Sequence, residues 1–266
     1  MPTRSAHRGC AVITGANRGL GLLVAKALAE AGHSIIAVAR TDTGATEAVA
    51  ALPSSSGRHV PLALDLASLQ SDAAIQQAAD RILHAAGGTI ELLINNAGVF
   101  IDRWDQAAWE ETRVVNFAAP VGLTRLLLPS ISADGLVVMV SASGYGRLSE
   151  LSSTYRARVS GASTFAELSA IAFDAADHDM GSRYAAPYKL SKAMLNRATQ
   201  LLAQESERAE RRVSVCAVGP GWCRTRMGGD GAPRSAEQGA ASILWTTSHR
   251  GPCNGRFLVD GEPVDW

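Results

Sequence analysis

The chain has 266 residues, 47% of them hydrophobic and 19% charged, enough apolar material for one large domain or two small ones and no composition of a disordered chain. Lysine plus arginine equals aspartate plus glutamate at 25 each, so the electrostatic footprint of a nucleic-acid or anionic-membrane binder is missing and a small or neutral partner is expected. Four scattered cysteines (Cys10, Cys216, Cys223, Cys253) suit neither a disulfide framework nor a metal site, and neither an apolar leader nor a run of membrane-spanning length is seen, so a reduced, metal-free, cytoplasmic protein is expected.

Short β-rich apolar runs recur at residues 10–14, 34–39, 60–64, 90–95, 136–141, 213–218 and 256–260. Most of the stretches between them have a helical period; after the first run, Leu22, Leu23, Lys26, Ala27 and Glu30 mark a helix with one covered face. Continuous apolar strands alternating with helices predict a single doubly wound α/β domain around a mainly parallel, seven-stranded sheet. Residues 147–183 break the alternation, being far longer than a usual α/β connection. There "TFAELSAIAFDAAD" opens with a capping box, Thr164 and Glu167, and sets Phe165, Leu168, Ala172 and Ala175 along one face, which predicts an inserted helical segment beside the carboxyl edge of the sheet.

The first run enters "TGANRGLG", where glycines let the backbone approach a pyrophosphate whose charge a helix N-terminus stabilises. Gly15, Asn17, Arg18, Gly19, Leu20 and Gly21 are therefore candidate dinucleotide contacts, in a GxxxGxG spacing that differs from the commoner GxGxxG. The second run ends at Arg40, with no acid to accept bonds from a free ribose hydroxyl; Arg40 and Arg18 together favour the 2'-phosphate of NADP(H). Asp65 and Leu66, after the third run, are expected beside the adenine, and "NNAG" offers Asn95, Ala97 and Gly98 where the chain passes the cofactor.

"RYAAPYKLSK" holds two of only three lysines. Tyr188 and Lys192, four apart on a helix that Pro187 suits at its first turn, share one face. The Lys192 ammonium is expected to pull the Tyr188 phenol below its ordinary value near 10 and make it a usable proton donor or acceptor. Lys189 points to another face and is expected in solvent.

Taken in order, TGANRGLG, NNAG, a serine ending the fifth strand, YKLSK and "GPGWCRTRMGG" resemble the short-chain dehydrogenase/reductase family over almost the whole chain, and the insertion and the ending resemble its monomeric carbonyl-reductase branch. The resemblance implies that Tyr188 is the general acid/base, that Lys192 also bonds the nicotinamide ribose, and that Asn116 anchors a proton relay behind the lysine. For the serine that polarises the substrate carbonyl, "VVMVSASGYG" allows two counts: forward from Asn116 or Gly135 the place falls on Ala142, and back from "GYGRLSELSS" it falls on Ser143, which is preferred, with Ser141 second. Pro220, Gly221 and Trp222 are implied to wrap the nicotinamide and Thr225 to bond its carboxamide; Cys216 and Cys223 are read as packing and loop contacts. The implied activity is NADP(H)-dependent reduction of a carbonyl, or oxidation of an alcohol, by a monomer acting on a small molecule. A non-catalytic NADP(H)-binding regulator, or a dehydratase or epimerase on the same fold, is the alternative. Trp104, Trp109, Tyr145, Tyr184, Trp222 and Met227 are candidate pocket residues for an apolar, cyclic substrate.

Overall fold

The computed structural model describes residues 9–53 and 57–266; most of the segment read for a leader, residues 1–8, lies outside them. Among the described residues β1 (Cys10–Thr14), β2 (Ser34–Ala39), β3 (Val60–Ala63), β4 (Ile90–Asn95), β5 (Ile131–Val140), β6 (Ser214–Val218), β7 (Phe257–Val259) and β8 (Glu262–Pro263) make one sheet in the order β3-β2-β1-β4-β5-β6-β7-β8. The first seven run parallel, as expected, and an eighth turns back antiparallel on β7 through Leu258↔Pro263 and Val259↔Glu262. The seven-stranded expectation is thus one short, because two exposed residues carry no periodicity. Strand β5 also starts five residues early, with a register shift opposite Ile90 and Leu92 and Asp134 at φ 62°.

Both faces of the strands are apolar because helices cover both. Ala11, Ile13, Ile35, Ala37, Val138 and Cys216 point toward α1 (Gly19–Glu30) and α2 (Asp42–Ala50); Val12, Ile36, Leu93, Val137 and Met139 point the other way, toward α3 (Asp72–Ala85), α4 (Gln106–Arg113) and α5 (Ala119–Leu127). At about 1.5–3 kcal/mol for each large aliphatic side chain buried, these two clusters dominate the stabilising terms. In α1 the buried stripe is Gly21, Val24, Ala25, Leu28 and Ala29. The stripe read from sequence lies beside it throughout: Leu22, Leu23, Lys26 and Ala27 are half-buried and Glu30 is exposed.

The chain runs from β1 outward to β3 and then crosses back to place β4 on the other side of β1. The loops after β1 and β4 therefore diverge, opening a crevice at the carboxyl ends of these strands.

The insertion contains α6 (Ser153–Gly161), α7 (Phe165–Ser169) and α8 (His178–Gly181). The capping box of Thr164 and Glu167 forms, but α7 lasts five residues, Ala172 and Ala175 are exposed, and Ile171 is the next residue to turn inward. Beyond α7 the backbone is held by other bonds: the Ala172 carbonyl accepts the Tyr155 hydroxyl at 3.0 Å, and the Asp174 and Asp177 carboxylates take the N–H groups of Ala176 and Met180. Beyond it α9 (Ala186–Arg208) begins with Pro187 as its second residue, and α10 (Ala236–Ser248) closes the α1 side.

Candidate active site

The glycine turn meets the end of β4 at the crevice. Gly15 has φ 66°, and a side chain on Gly21 would overlap the Gly15 carbonyl oxygen and lie 2.5 Å from Asn96 Nδ2, so the turn closes only around a bare backbone. The Thr14 hydroxyl accepts from the N–H groups of Asn96 and Ala97, both at 3.0 Å, and Asn96 Nδ2 donates to the Thr14 carbonyl at 2.8 Å. Thr14 and Asn96 escaped the sequence reading, although both sit inside its motifs. Asn95 is a correction: its side chain turns into the core, donating to Thr124 Oγ1 at 2.9 Å, because alternation along β4 points it away from the turn.

Asn17 packs its amide 3.2 Å from the Cβ position of Gly44, holding the turn against the start of α2, directly after Arg40. Arg18 and Arg40 are both exposed there. Asp65 is exposed and caps its own turn by accepting the Ala67 N–H, whereas Leu66 is 6% exposed and belongs to the core, which removes its side chain as an adenine contact.

Past β6, Pro220 is buried, Gly221 has φ 84°, and the Trp222 indole N–H donates to the Gly228 carbonyl. Thr225 Oγ1 accepts the Gly228 N–H at 3.2 Å, and its methyl lies 3.4 Å from the Cβ position of Gly19, which joins this loop to the glycine turn. Leu20 packs toward the start of α10, 2.9 Å from the Cβ position of Gly239. Cys223 contacts the Pro220 carbonyl and Cys216 is buried in β6, as read.

Tyr188 and Lys192 come together at the centre. Lys192, 4% exposed, lies with Nζ 5.7 Å from the Tyr188 ring centre and donates to the Val140 carbonyl at 2.7 Å. Burial lowers its pKa to about 8. The expectation for Tyr188 is overturned: burial raises its pKa well above the ordinary 10, and Tyr145 raises it further. The ammonium is engaged by the Val140 carbonyl and does not offset the desolvation, so the phenol is firmly protonated at neutral pH. Phe100 and Tyr145 flank its ring, with centres 5.1 and 6.3 Å away.

Asn116 is fully buried in a π-helical segment, Val114–Ala118. Its side chain accepts the Val99 N–H at 2.8 Å and donates to the Val99 carbonyl at 2.9 Å and to Ser191 Oγ at 3.1 Å. Gly98 lies close against these groups: its Cβ position is 3.2 Å from Asn116 Oδ1 and 3.7 Å from Lys192 Nζ, so a side chain there would crowd the amide.

The two serines occupy different settings. Ser141 is 3% exposed, its N–H extends the ladder to Val218, and its hydroxyl lies 3.5 Å from the Lys192 carbonyl. Ser143 is half-buried, packs its backbone against Gly219, and gives its carbonyl to Arg147 Nε. Ala142 lies between them, also half-buried.

Two other expectations change. Trp109 is fully buried, and Trp104 packs on it and on Tyr155 and Phe173, so both belong to the core under the insertion. Tyr145, Tyr184, Trp222 and Met227 remain exposed, at 36%, 56%, 57% and 50%. Lys189 is not in solvent: it is 7% exposed, pairs with Glu150 at 2.7 Å, and lies 4.9 Å over the Tyr145 ring.

A glycine turn at the switch point of a parallel sheet, with a tyrosine and lysine one helical turn apart over it, is the arrangement of a nucleotide-dependent oxidoreductase. The chain belongs to the short chain dehydrogenase family, whose sequence pattern matches residues 9–179. Carbonyl reductase (NADPH) 1 of Rattus norvegicus is 27% identical over 281 residues, 98% of this chain and 100% of that protein. The ketoacyl reductase HetN of Nostoc sp. is 34% identical over 129 residues, a stretch that spans 47% of this chain and 43% of that protein. Among solved structures, salutaridine reductase from Papaver somniferum is 25% identical with a TM-score of 0.81, over 94% of this chain and 99% of that one.

Proposed function

We propose that this protein is an NADP(H)-dependent carbonyl reductase or alcohol dehydrogenase. The observation that carries the reading is the Tyr188 ring beside the buried Lys192 ammonium, at 5.7 Å, with Phe100 and Tyr145 against it. The residues present suit a dinucleotide: bare backbone at Gly15, Gly21 and Gly98, the junction of Gly19 with Thr225, and two exposed arginines where a 2'-phosphate would lie. The dinucleotide, when bound, supplies or accepts a hydride at the substrate carbon. The name of the rat relative, which carries NADPH and a carbonyl reaction, supports the same choice.

Arg18 and Arg40 would neutralise the 2'-phosphate of the dinucleotide, and Lys192 and the backbone of residues 219–225 would hold the nicotinamide end. Tyr188 gives its hydroxyl proton to the carbonyl oxygen as the carbon is reduced, so the product is the alcohol. Ser143, whose hydroxyl makes no hydrogen bond to another described residue, is assigned to polarise that oxygen; Asn116, through Val99 and Ser191, holds the lysine side of the site in place. The exposed rings of Tyr145, Tyr184 and Trp222 suit an apolar, ring-bearing substrate.

A monomer is proposed as well. Phe165 of the insertion lies under the guanidinium of Arg125 in α5, at 4.6 Å, and Arg197 of α9 donates to the Ala162 carbonyl, so the insertion lies over the helices of that side. Light scattering tests this, and a tetramer would refute it.

The deciding experiment sets purified protein and NADPH, then NADH, against a panel of ketones, aldehydes and quinones. Turnover with NADPH that disappears in Tyr188→Phe supports the reading. Tight nucleotide binding with no turnover would replace it by a non-catalytic regulator.

A further inference from the structure

Lys189 follows the proposed proton donor directly, yet the proposed chemistry gives it no role. It is one of three lysines in the chain and is nearly as buried as Lys192, at 7% against 4%. Burying a flexible ammonium costs free energy unless a partner answers it. Here two do: Glu150 Oε2 at 2.7 Å, and the face of Tyr145, whose ring centre lies 4.9 Å from Nζ.

Both partners belong to the segment of residues 143–150, which leaves β5, turns through the Gly146 N–H to Ala142 carbonyl bond and ends in the short Leu148–Glu150 helix. Three further ties reach this segment: Asn196 Nδ2 to the Gly146 carbonyl at 3.0 Å, Arg156 Nε to the Leu148 carbonyl at 3.1 Å and Arg183 to the Glu150 carbonyl at 3.3 Å. None of the three is made to the Tyr145 side chain, so among the polar ties to this segment that of Lys189 is the one that reaches the ring. Tyr145 in turn stands edge-on to Tyr188, at 6.3 Å and 86°, and to Tyr184, at 6.3 Å and 69°.

We infer that Lys189, paired with Glu150, is a positioning residue that holds Tyr145 against the proton donor and so sets the substrate-facing wall of the site. This rests on the function proposed above for where the substrate lies. The ammonium does not touch reacting atoms; it acts through the ring, and its loss should alter substrate capture rather than the proton-transfer step.

Two measurements test it on the full chain. Hydrogen exchange, which needs no activity, should show the amides of residues 144–150 exchanging roughly tenfold faster in Lys189→Met, with Lys189→Arg close to the unsubstituted protein. With NADPH and the best carbonyl substrate from the panel, Lys189→Met should raise KM roughly tenfold while kcat and the NADPH dissociation constant stay within about twofold. In a Tyr145→Leu background the same substitution should leave KM unchanged. Unaltered exchange at 144–150, or an equal rise in KM with and without Tyr145, overturns the inference. An unsubstituted protein that shows no turnover overturns the proposed function instead, and the exchange result still decides whether Lys189 holds the loop.

Discussion

Replacing Lys192 by Met should change how stability depends on pH, and the structure gives the size. In the folded protein burial holds this lysine at about 8 against an ordinary 10.5. Between those values the unfolded chain binds the proton more tightly, so stability rises with pH; below about 8 the folded protein carries the whole cost of the buried ammonium. At about 1.4 kcal/mol for each pH unit of difference, that cost is roughly 3 kcal/mol near neutrality, and less than 1 kcal/mol of it remains at pH 10. Met carries no such cost. It also removes the donor to the Val140 carbonyl, a loss of about 1–3 kcal/mol present at both pH values. The stability of Lys192→Met relative to the unsubstituted protein should therefore fall by about 2–3 kcal/mol between pH 7 and pH 10, whatever the Val140 loss. Urea unfolding of both proteins without nucleotide, at the two pH values, measures it. A difference constant to within about 0.5 kcal/mol, or one that grows with pH, would refute the desolvated-ammonium picture.

Other substitutions probe separate parts of the site. Gly21→Ala sets a methyl against the Gly15 carbonyl and Asn96 and should cost about 1–3 kcal/mol of stability, with a loss of NADPH affinity by fluorescence titration. Ser143→Ala should reduce kcat by roughly 100-fold at unchanged nucleotide affinity. Ser141→Ala should mainly lower the thermal midpoint; the opposite pattern would move the polarising role to Ser141. Removing both charges proposed for the 2'-phosphate with Arg18→Ala and Arg40→Ala should weaken NADPH roughly 100-fold and leave NADH almost unaffected, read by calorimetry. Thr164→Ala, which breaks the capping box of α7, should cost about 1 kcal/mol in denaturant unfolding without altering kcat.

The parallel strands were legible because burial on both faces makes each an uninterrupted apolar run, and the glycine turn because positive φ and close backbone approach admit glycine alone. What escaped depends on neighbours distant in sequence. The face of α9 that carries Lys189 looks solvent-facing from spacing alone, yet the segment ending at Glu150 folds over it. Asn95 and Asn96 are indistinguishable in "NNAG" until strand alternation sends the first to Thr124 and the second to the turn. The direction of the Tyr188 shift is a contest between burial and a nearby cation, and only the structure shows the cation bonded to Val140. The short α7 illustrates a limit of periodicity: Ala172 and Ala175 fit an apolar stripe, but the chain leaves the helix after Ser169, and the Ala172 carbonyl is bonded to the Tyr155 hydroxyl.

The π-helical segment Val114–Ala118 joins α4 to α5. A wide turn takes up about one residue more than an ordinary helical turn, and Asn116 stands in it with its amide on both backbone groups of Val99. Deleting a single residue there would restore an ordinary helix and keep α4 and α5 in their present phase, but it would remove the wide turn that holds the Asn116 amide on Val99. The cost falls on the site and not on the core, so a length change at this place should be felt in activity, whereas one at the exposed glycines 87 and 88, which have open space around them, should not.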